Sequence, residues 1–231
     1  MVSFLERARI SKAVKEDFVP CASNQPGKQY PMVNSERIVR AQLVAPDAKT
    51  VKLDLGGVKY PLKRDVNGVW TGDSAPQDEG FHYYQFEVDG ASVPDPGSLY
   101  YYGAGRWGSG IEIPAHDQDF YALKNVPHGD IREVHYWSET NKEMRHCFIY
   151  TPPGYDQNKK KRYPVLYLQH GGGENEYGWP EQGKTGLIMD NLIAEGKAEG
   201  FIIVIDNGTW ARPRPAQRPQ APAEGQARPQ G

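Results

Sequence analysis

From Arg37 onward, hydrophobic and polar positions follow a period of two. Ile38, Arg40, Gln42 and Val44 alternate against Val39, Ala41, Leu43 and Ala45, and this alternation puts successive side chains on opposite faces of a strand. Val51, Leu53 and Leu55, spaced by Lys52 and Asp54, predict a half-buried strand that Gly56-Gly57 closes. Tyr60 to Arg64 and Val69-Trp70-Thr71 predict a hairpin around Asp65-Val66-Asn67-Gly68, with Asn-Gly supplying positive φ angles and Trp70 in the core. Phe81, Tyr83, Phe86 and Val88 form an aromatic strand that ends at Asp89-Gly90. Short strands at this spacing predict a β-sandwich over residues 36–114. Residues 1–35 show no sustained period and read as an N-terminal extension, with a short helix from Ser11 to Phe18 and an irregular stretch from Pro20 to Pro31.

After a linker over residues 115–129 the pattern changes. Ile131, Val134 and Tyr136 predict one strand and Arg145 to Thr151 its partner, with the polar turn Glu139–Lys142 between them. Tyr163 to Gln169 is a near-continuous apolar run, which predicts a buried parallel strand entering His170-Gly171-Gly172-Gly173. Thr185 to Lys197 reads as a helix with apolar Leu187, Ile188, Leu192 and Ala194, ended by Gly196. Phe201 to Ile205 predicts a fully buried strand, with Asp206-Asn207-Gly208 at its C-terminal end. Strand, helix and strand make a βαβ unit and hence a parallel sheet. Residues 211–231 hold five Pro and four Arg and no large apolar side chain, so they read as a loop or tail.

Composition narrows the function classes. Twenty-nine acidic against 27 basic residues leave a net charge of −2 over 231 residues, so charge makes no case for nucleic acid or an anionic membrane. No apolar run approaches the roughly 20 residues of a membrane span. Met1 to Arg7 is charged too early to hold the apolar core of a signal peptide. Cys21 and Cys147 are too few for a disulfide framework, and Cys147 in a strand-like run reads as a buried free thiol. His82, His116, His128, His135, His146 and His170 are scattered singly, so no metal and no cofactor is expected. Lys159 to Arg162 reads as a solvated loop. Tyr100 to Gly110 is an aromatic, glycine-rich loop with two open readings. Tyr100 and Trp107 suit stacking on sugar or phenolic rings, and they equally suit a clasp between two domains.

The chemistry centres on His170-Gly171-Gly172-Gly173. Glycine leaves the backbone N–H unobstructed, and such a group at the C-terminal end of a parallel strand is placed to stabilise an oxyanion. Gly171 and Gly172 are the candidate donors. Trp179 is a candidate wall of an aromatic substrate pocket. The nearest titratable groups are His170, which belongs to the loop motif, and Asp206, which reads as shaping the loop after its strand. No G-x-S-x-G occurs, and Ser138 is the only serine beyond Ser109.

Two resemblances carry these residues further. Val44 to Val51, Asn67 to Trp70, Gly80 to Phe86, Val88-Asp89-Gly90 and Pro94-Asp95-Pro96 together resemble the early-set immunoglobulin-like modules related to family 48 carbohydrate-binding domains. Tyr150 to Tyr155, Tyr163 to Trp179 and Gly186 to Gly208 resemble the esterase D superfamily, and within it carbohydrate esterase family 1 with its feruloyl and acetyl-xylan esterases. The second resemblance implies that residues 130–210 are the first part of an α/β-hydrolase domain. It also implies a Ser-Asp-His triad, which is expected beyond residue 231 together with the remaining C-terminal part of the domain. The implied substrate is feruloylated or acetylated xylan and the implied location is secreted, periplasmic or at the cell surface. This segment alone is expected to be inactive. An enterochelin-type siderophore esterase and a non-catalytic carbohydrate-binding fragment are the competing readings.

Overall fold

A computed structural model describes residues 13–157 and 160–209. Its strands are β1 (Val19–Pro20), β2 (Met32–Val33), β3 (Ile38–Val44), β4 (Val51–Leu55), β5 (Val58–Pro61), β6 (Lys63–Arg64), β7 (Val69–Pro76), β8 (Gly80–Val88), β9 (Ala91–Val93), β10 (Tyr100–Gly103), β11 (Arg106–Ile113), β12 (Asp130–Ser138), β13 (Glu143–Thr151), β14 (Val165–Tyr167) and β15 (Ile202–Asp206). The helix α1 (Thr185–Ala194) lies between the last two.

Three sheets follow. One has the order β1-β2-β3-β7-β6, and a second has the order β10-β11-β8-β4-β5 with β9 paired to β8. These two share one core. Val51, Leu53 and Leu55 of β4 and Tyr84 and Phe86 of β8 meet Val39 and Ala41 of β3 and Trp70 of β7 there. Each fully buried Leu or Phe contributes about 1.5–3 kcal/mol of transfer free energy. The indole of Trp70 also donates to Ala45 O at 2.9 Å, so its one polar atom is satisfied inside the core.

The region read as an extension is partly built into this unit. β1 and β2 pair onto β3, and Cys21 and Val33 are in the core. Burial pushes the Cys21 thiol up to about 12. Residues 13–18 are not helical, and residues 11–12 of the expected helix lie outside the described residues. At the 65–68 turn only Gly68 has a positive φ. The Asp65 carboxylate closes the turn instead, accepting the N–H of Asn67 and Val69.

The glycine-rich loop expected over Tyr100–Gly110 is a β-hairpin, with Ala104-Gly105 as its turn, both at positive φ. Its glycines sit in strand because aromatic rings lie across them. A Cβ on Gly103 would stand 2.0 Å from the Tyr83 ring, and one on Gly110 would stand 2.3 Å from Phe81.

The third sheet has the order β12-β13-β15-β14, and only β14 and β15 run parallel. Tyr150, Ile203 and Ile205 turn one face of it toward Met189 and Ile193 of α1. The opposite face carries Ile149, Val204 and Tyr167 side by side in register. Here the expectation of buried strands fails. Val165, Leu166 and Tyr167 are all exposed, Tyr167 by 78%, and Ile202 and Val204 are only half-buried. β14 is an edge strand among the described residues, so its apolar composition has a partner on one side only.

α1 ends as expected. Gly196 takes φ +68°, Lys197 N–H donates to Leu192 O and Gly196 N–H to Ile193 O, which together form a Schellman cap. Its buried positions are Thr185, Met189, Asp190 and Asn191 rather than Leu187 and Leu192. The polar ones are used: the Asn191 amide donates to Phe120 O and Ala122 O and so ties the linker to the helix. The Pro/Arg segment over residues 211–231 lies outside the described residues.

Candidate active site

β14 and β15 run in the same direction, so the glycine loop after β14 and Asn207-Gly208 after β15 emerge at the same edge of the sheet. In open α/β sheets this is the edge where ligands bind. The His170 ring bridges the two segments, with Nδ1 2.8 Å from Gly171 O and Nε2 3.4 Å from Asn207 Oδ1. Its position between two backbone segments makes it a brace of the loop. Gln169 fills the space beside Gly208, where a Cβ would stand 2.3 Å from its amide.

Gly171, Gly172 and Gly173 are exposed. A Cβ on Gly171 or Gly172 would meet nothing within 4 Å, so open space adjoins both. Among the described residues no backbone acceptor is recorded for either N–H, whereas Gly171 O accepts Glu174 N–H at 3.3 Å. Among the described residues, the two glycines lie at the end of a parallel strand with open space on their Cα side, a setting in which backbone N–H groups can serve an oxyanion site.

The aromatic candidates separate. The Trp179 indole donates to Gln169 O at 2.9 Å and is 37% exposed, so it lies against the end of β14 beside the loop. Trp107, 48% exposed, meets Tyr102 edge-on at 5.5 Å and Tyr177 at 5.1 Å, which brings it to the same region. Tyr100 is half-exposed further along β10, paired with Ser109, and no contact joins it to the glycine loop. Of the two readings of the 100–110 segment, the clasp is visible in the contacts of Trp107 with Tyr177 and of Gln182 with Tyr102 O at 2.9 Å.

Sequence reasoning missed a buried acid–imidazole pair. His146 Nε2 lies 3.0 Å from Glu176 Oε1, and Glu176 is only 6% exposed. His146 also stands across the β12–β13 ladder from His135, with ring centroids 5.4 Å apart, so two histidines distant in sequence are neighbours in space. Arg145, His146, Glu176 and Asn207 line a cavity of about 330 Å³ at this edge of the sheet. The only advance signal was that Glu176 follows the glycine loop by three residues.

The remaining titratable groups have structural duties. Asp206 accepts the Tyr136 hydroxyl at 2.9 Å, and that carboxylate adds to burial in raising the Tyr136 hydroxyl above its usual range. Ser138 Oγ accepts Asn141 N–H at 3.2 Å in the β12–β13 turn. Cys147 is buried, and burial raises its thiol above the usual range. None of these is a poised nucleophile.

Residues 138–230 match the family model for esterases. Over 211 residues the chain is 54% identical to an endo-1,4-beta-xylanase/feruloyl esterase of Xylanibacter ruminicola, an alignment that covers 88% of this chain and 29% of that protein. A shorter stretch of 57 residues is 46% identical to endo-1,4-beta-xylanase Y of Acetivibrio thermocellus, covering 24% of this chain and 5% of that protein. The chain thus spans less than a third of the length of these relatives. Among solved structures, the enterobactin esterase FES from Shigella flexneri superimposes with a TM-score of 0.57 at 16% identity, over 75% of this chain and 53% of that one. That likeness shows a shared fold.

Proposed function

We propose that this chain is the front portion of a serine esterase that hydrolyses feruloyl esters, or acetyl esters, on plant-wall xylan. The observation that carries the reading is the 54% identity to a xylanase/feruloyl esterase across nearly nine-tenths of the chain. The geometry supports it through Gly171 and Gly172, which adjoin open space at the end of a parallel strand and whose N–H groups, among the described residues, donate to no backbone acceptor. These N–H groups would receive the oxyanion of the tetrahedral intermediate. Residues 19–113 are read as an early-set immunoglobulin-like sandwich of the family 48 kind, and residues 130–209 as the first part of an α/β-hydrolase domain. The reading requires a Ser-His-Asp triad to complete the reaction, and no G-x-S-x-G is present in residues 1–231. Trp107 and Trp179 would flank the phenolic ring, with Tyr100 further out along the sugar chain. An extracellular or cell-surface location follows from a polymeric substrate.

The test uses the longest natural polypeptide that carries this sequence, assayed on methyl ferulate, acetylated xylan and a tri-catecholate lactone. Release of ferulate or acetate is expected, with no turnover by residues 1–231 alone. Hydrolysis of the lactone only, or of none of the three, would overturn the reading.

A further inference from the structure

The second sheet does more than sit beside the glycine loop. Gly105 N–H, at the tip of the β10–β11 hairpin, donates to Gly173 O at 2.7 Å. Gly173 has φ +78°, and a Cβ there would stand 3.5 Å from Ala104, so the two turns are in van der Waals contact. Next to them, Tyr83 of β8 donates its hydroxyl to Glu174 Oε1 at 2.9 Å and accepts Gln182 Nε2 at 2.6 Å. Burial, with the Glu174 carboxylate beside it, pushes this hydroxyl up to about 12, so it remains a donor. The Tyr83 ring reaches this position because Gly103 leaves room for it. Trp107 against Tyr177 and Lys184 Nζ on Glu112 at 2.8 Å extend the same seam. Between Leu168 and α1 the chain has no strand or helix of its own, so these contacts hold a loop that would otherwise be weakly fixed.

We propose that the β10–β11 hairpin, with Tyr83 and Gln182, is a positioning element for the Gly171–Gly173 oxyanion loop, and so part of the catalytic apparatus rather than an appended sugar-binding module. The inference rests on the esterase reading for its catalytic half only. Holding donors to within a fraction of an ångström is where oxyanion stabilisation gains its strength, and a misplacement of about 1 Å can cost about 100-fold.

The test is Tyr83→Phe, which keeps the ring under Gly103 and removes the hydroxyl's bonds to Glu174, Gln182 and Tyr102 O, with Gln182→Leu as a second variant. In residues 1–231, amide hydrogen exchange at Gly105 and Glu174 is expected to speed up about tenfold or more in each variant. In the longest natural polypeptide, kcat on methyl ferulate is expected to fall about tenfold with KM held within about twofold. Unchanged exchange in both variants overturns the hairpin's hold on the loop. Faster exchange with unchanged kcat overturns its catalytic part. If the wild-type polypeptide hydrolyses no ester, the esterase reading fails, and exchange alone still decides whether the hairpin fixes the loop.

Discussion

An added Cβ meets no atom at Gly171 or Gly172, and neither has a positive φ, whereas Gly173 sits at φ +78°. Alanine should therefore separate function from folding along this loop. Gly172→Ala is expected to leave the melting temperature unchanged and, on the esterase reading proposed above, to lower full-length esterase activity about 100-fold, because the methyl would fill the open space beside the proposed N–H donors. Gly173→Ala is expected to cost about 1–2 kcal/mol in urea unfolding, since left-handed backbone strains an L side chain. Asp190 is the other decisive residue. Its buried carboxylate accepts the Tyr150 hydroxyl at 2.8 Å, Gly129 N–H at 2.9 Å and His128 Nδ1 at 2.8 Å. Asp190→Ala leaves the buried Tyr150 hydroxyl unpaired and should destabilise by about 3 kcal/mol. His128 also points Nε2 at Lys124 O, 3.0 Å away, so the imidazolium form satisfies both acceptors. The bond to Asp190 accordingly raises the His128 pKa above its ordinary 6.5. Its stabilisation is full below that ordinary value and fades as pH rises through the higher folded value. Urea midpoints measured at about pH 5.5 and 8.5 should differ in the wild type by more than in His128→Gln.

Among the elements, β14 is exposed along its whole length. It pairs with β15 along one edge, and Val165, Leu166 and Tyr167 are open to solvent. An apolar edge strand with free N–H and C=O groups is a template for pairing with another chain. Residues 1–231 are therefore expected to show concentration-dependent association in sedimentation velocity, reduced in Tyr167→Lys. Equal sedimentation of the two chains would show that the edge is harmless. The β10–β11 hairpin is the opposite case. Both of its turn residues have positive φ, its glycines admit the rings of Tyr83 and Phe81, and its tip is fixed against Gly173. Composition alone read as an aromatic, glycine-rich loop there. The element is a β-hairpin whose glycines allow close packing.

For the molecule as a whole, the two cores differ in size. Among the described residues, thirteen buried ones form the core between the first two sheets, and five form the core under α1, so the third sheet should be the weaker unit. Calorimetry of residues 1–231 is expected to show two transitions, the earlier belonging to the third sheet, and Tyr83→Phe should lower that one by weakening the seam. One sharp transition would mean that the seam makes a single cooperative unit of both. The same seam sets the relation between the parts: the first two sheets meet the third at the glycine loop after β14.

The strands of the sandwich, the βαβ unit and the glycine loop were legible in sequence because each is local. Alternation in Val51–Leu55, the apolar run before His170, and Gly196 after the helix act through neighbours a few residues away. The glycines proposed as oxyanion donors could be singled out for the same reason. Contacts between distant segments were not legible. Glu176 against His146, Tyr83 against Glu174 and Gly105 against Gly173 join residues 30 to 91 positions apart. No periodicity marks such pairs, because what selects them is fit across a packed seam. Nor could composition say that Val165 to Tyr167 face solvent, since burial depends on what lies over a strand and not on the strand itself. Sequence by itself placed a glycine loop at the end of a parallel strand, because both features are local. Only the tertiary structure decided that the site is held from the neighbouring sheet, because that hold exists where two separately folded surfaces meet.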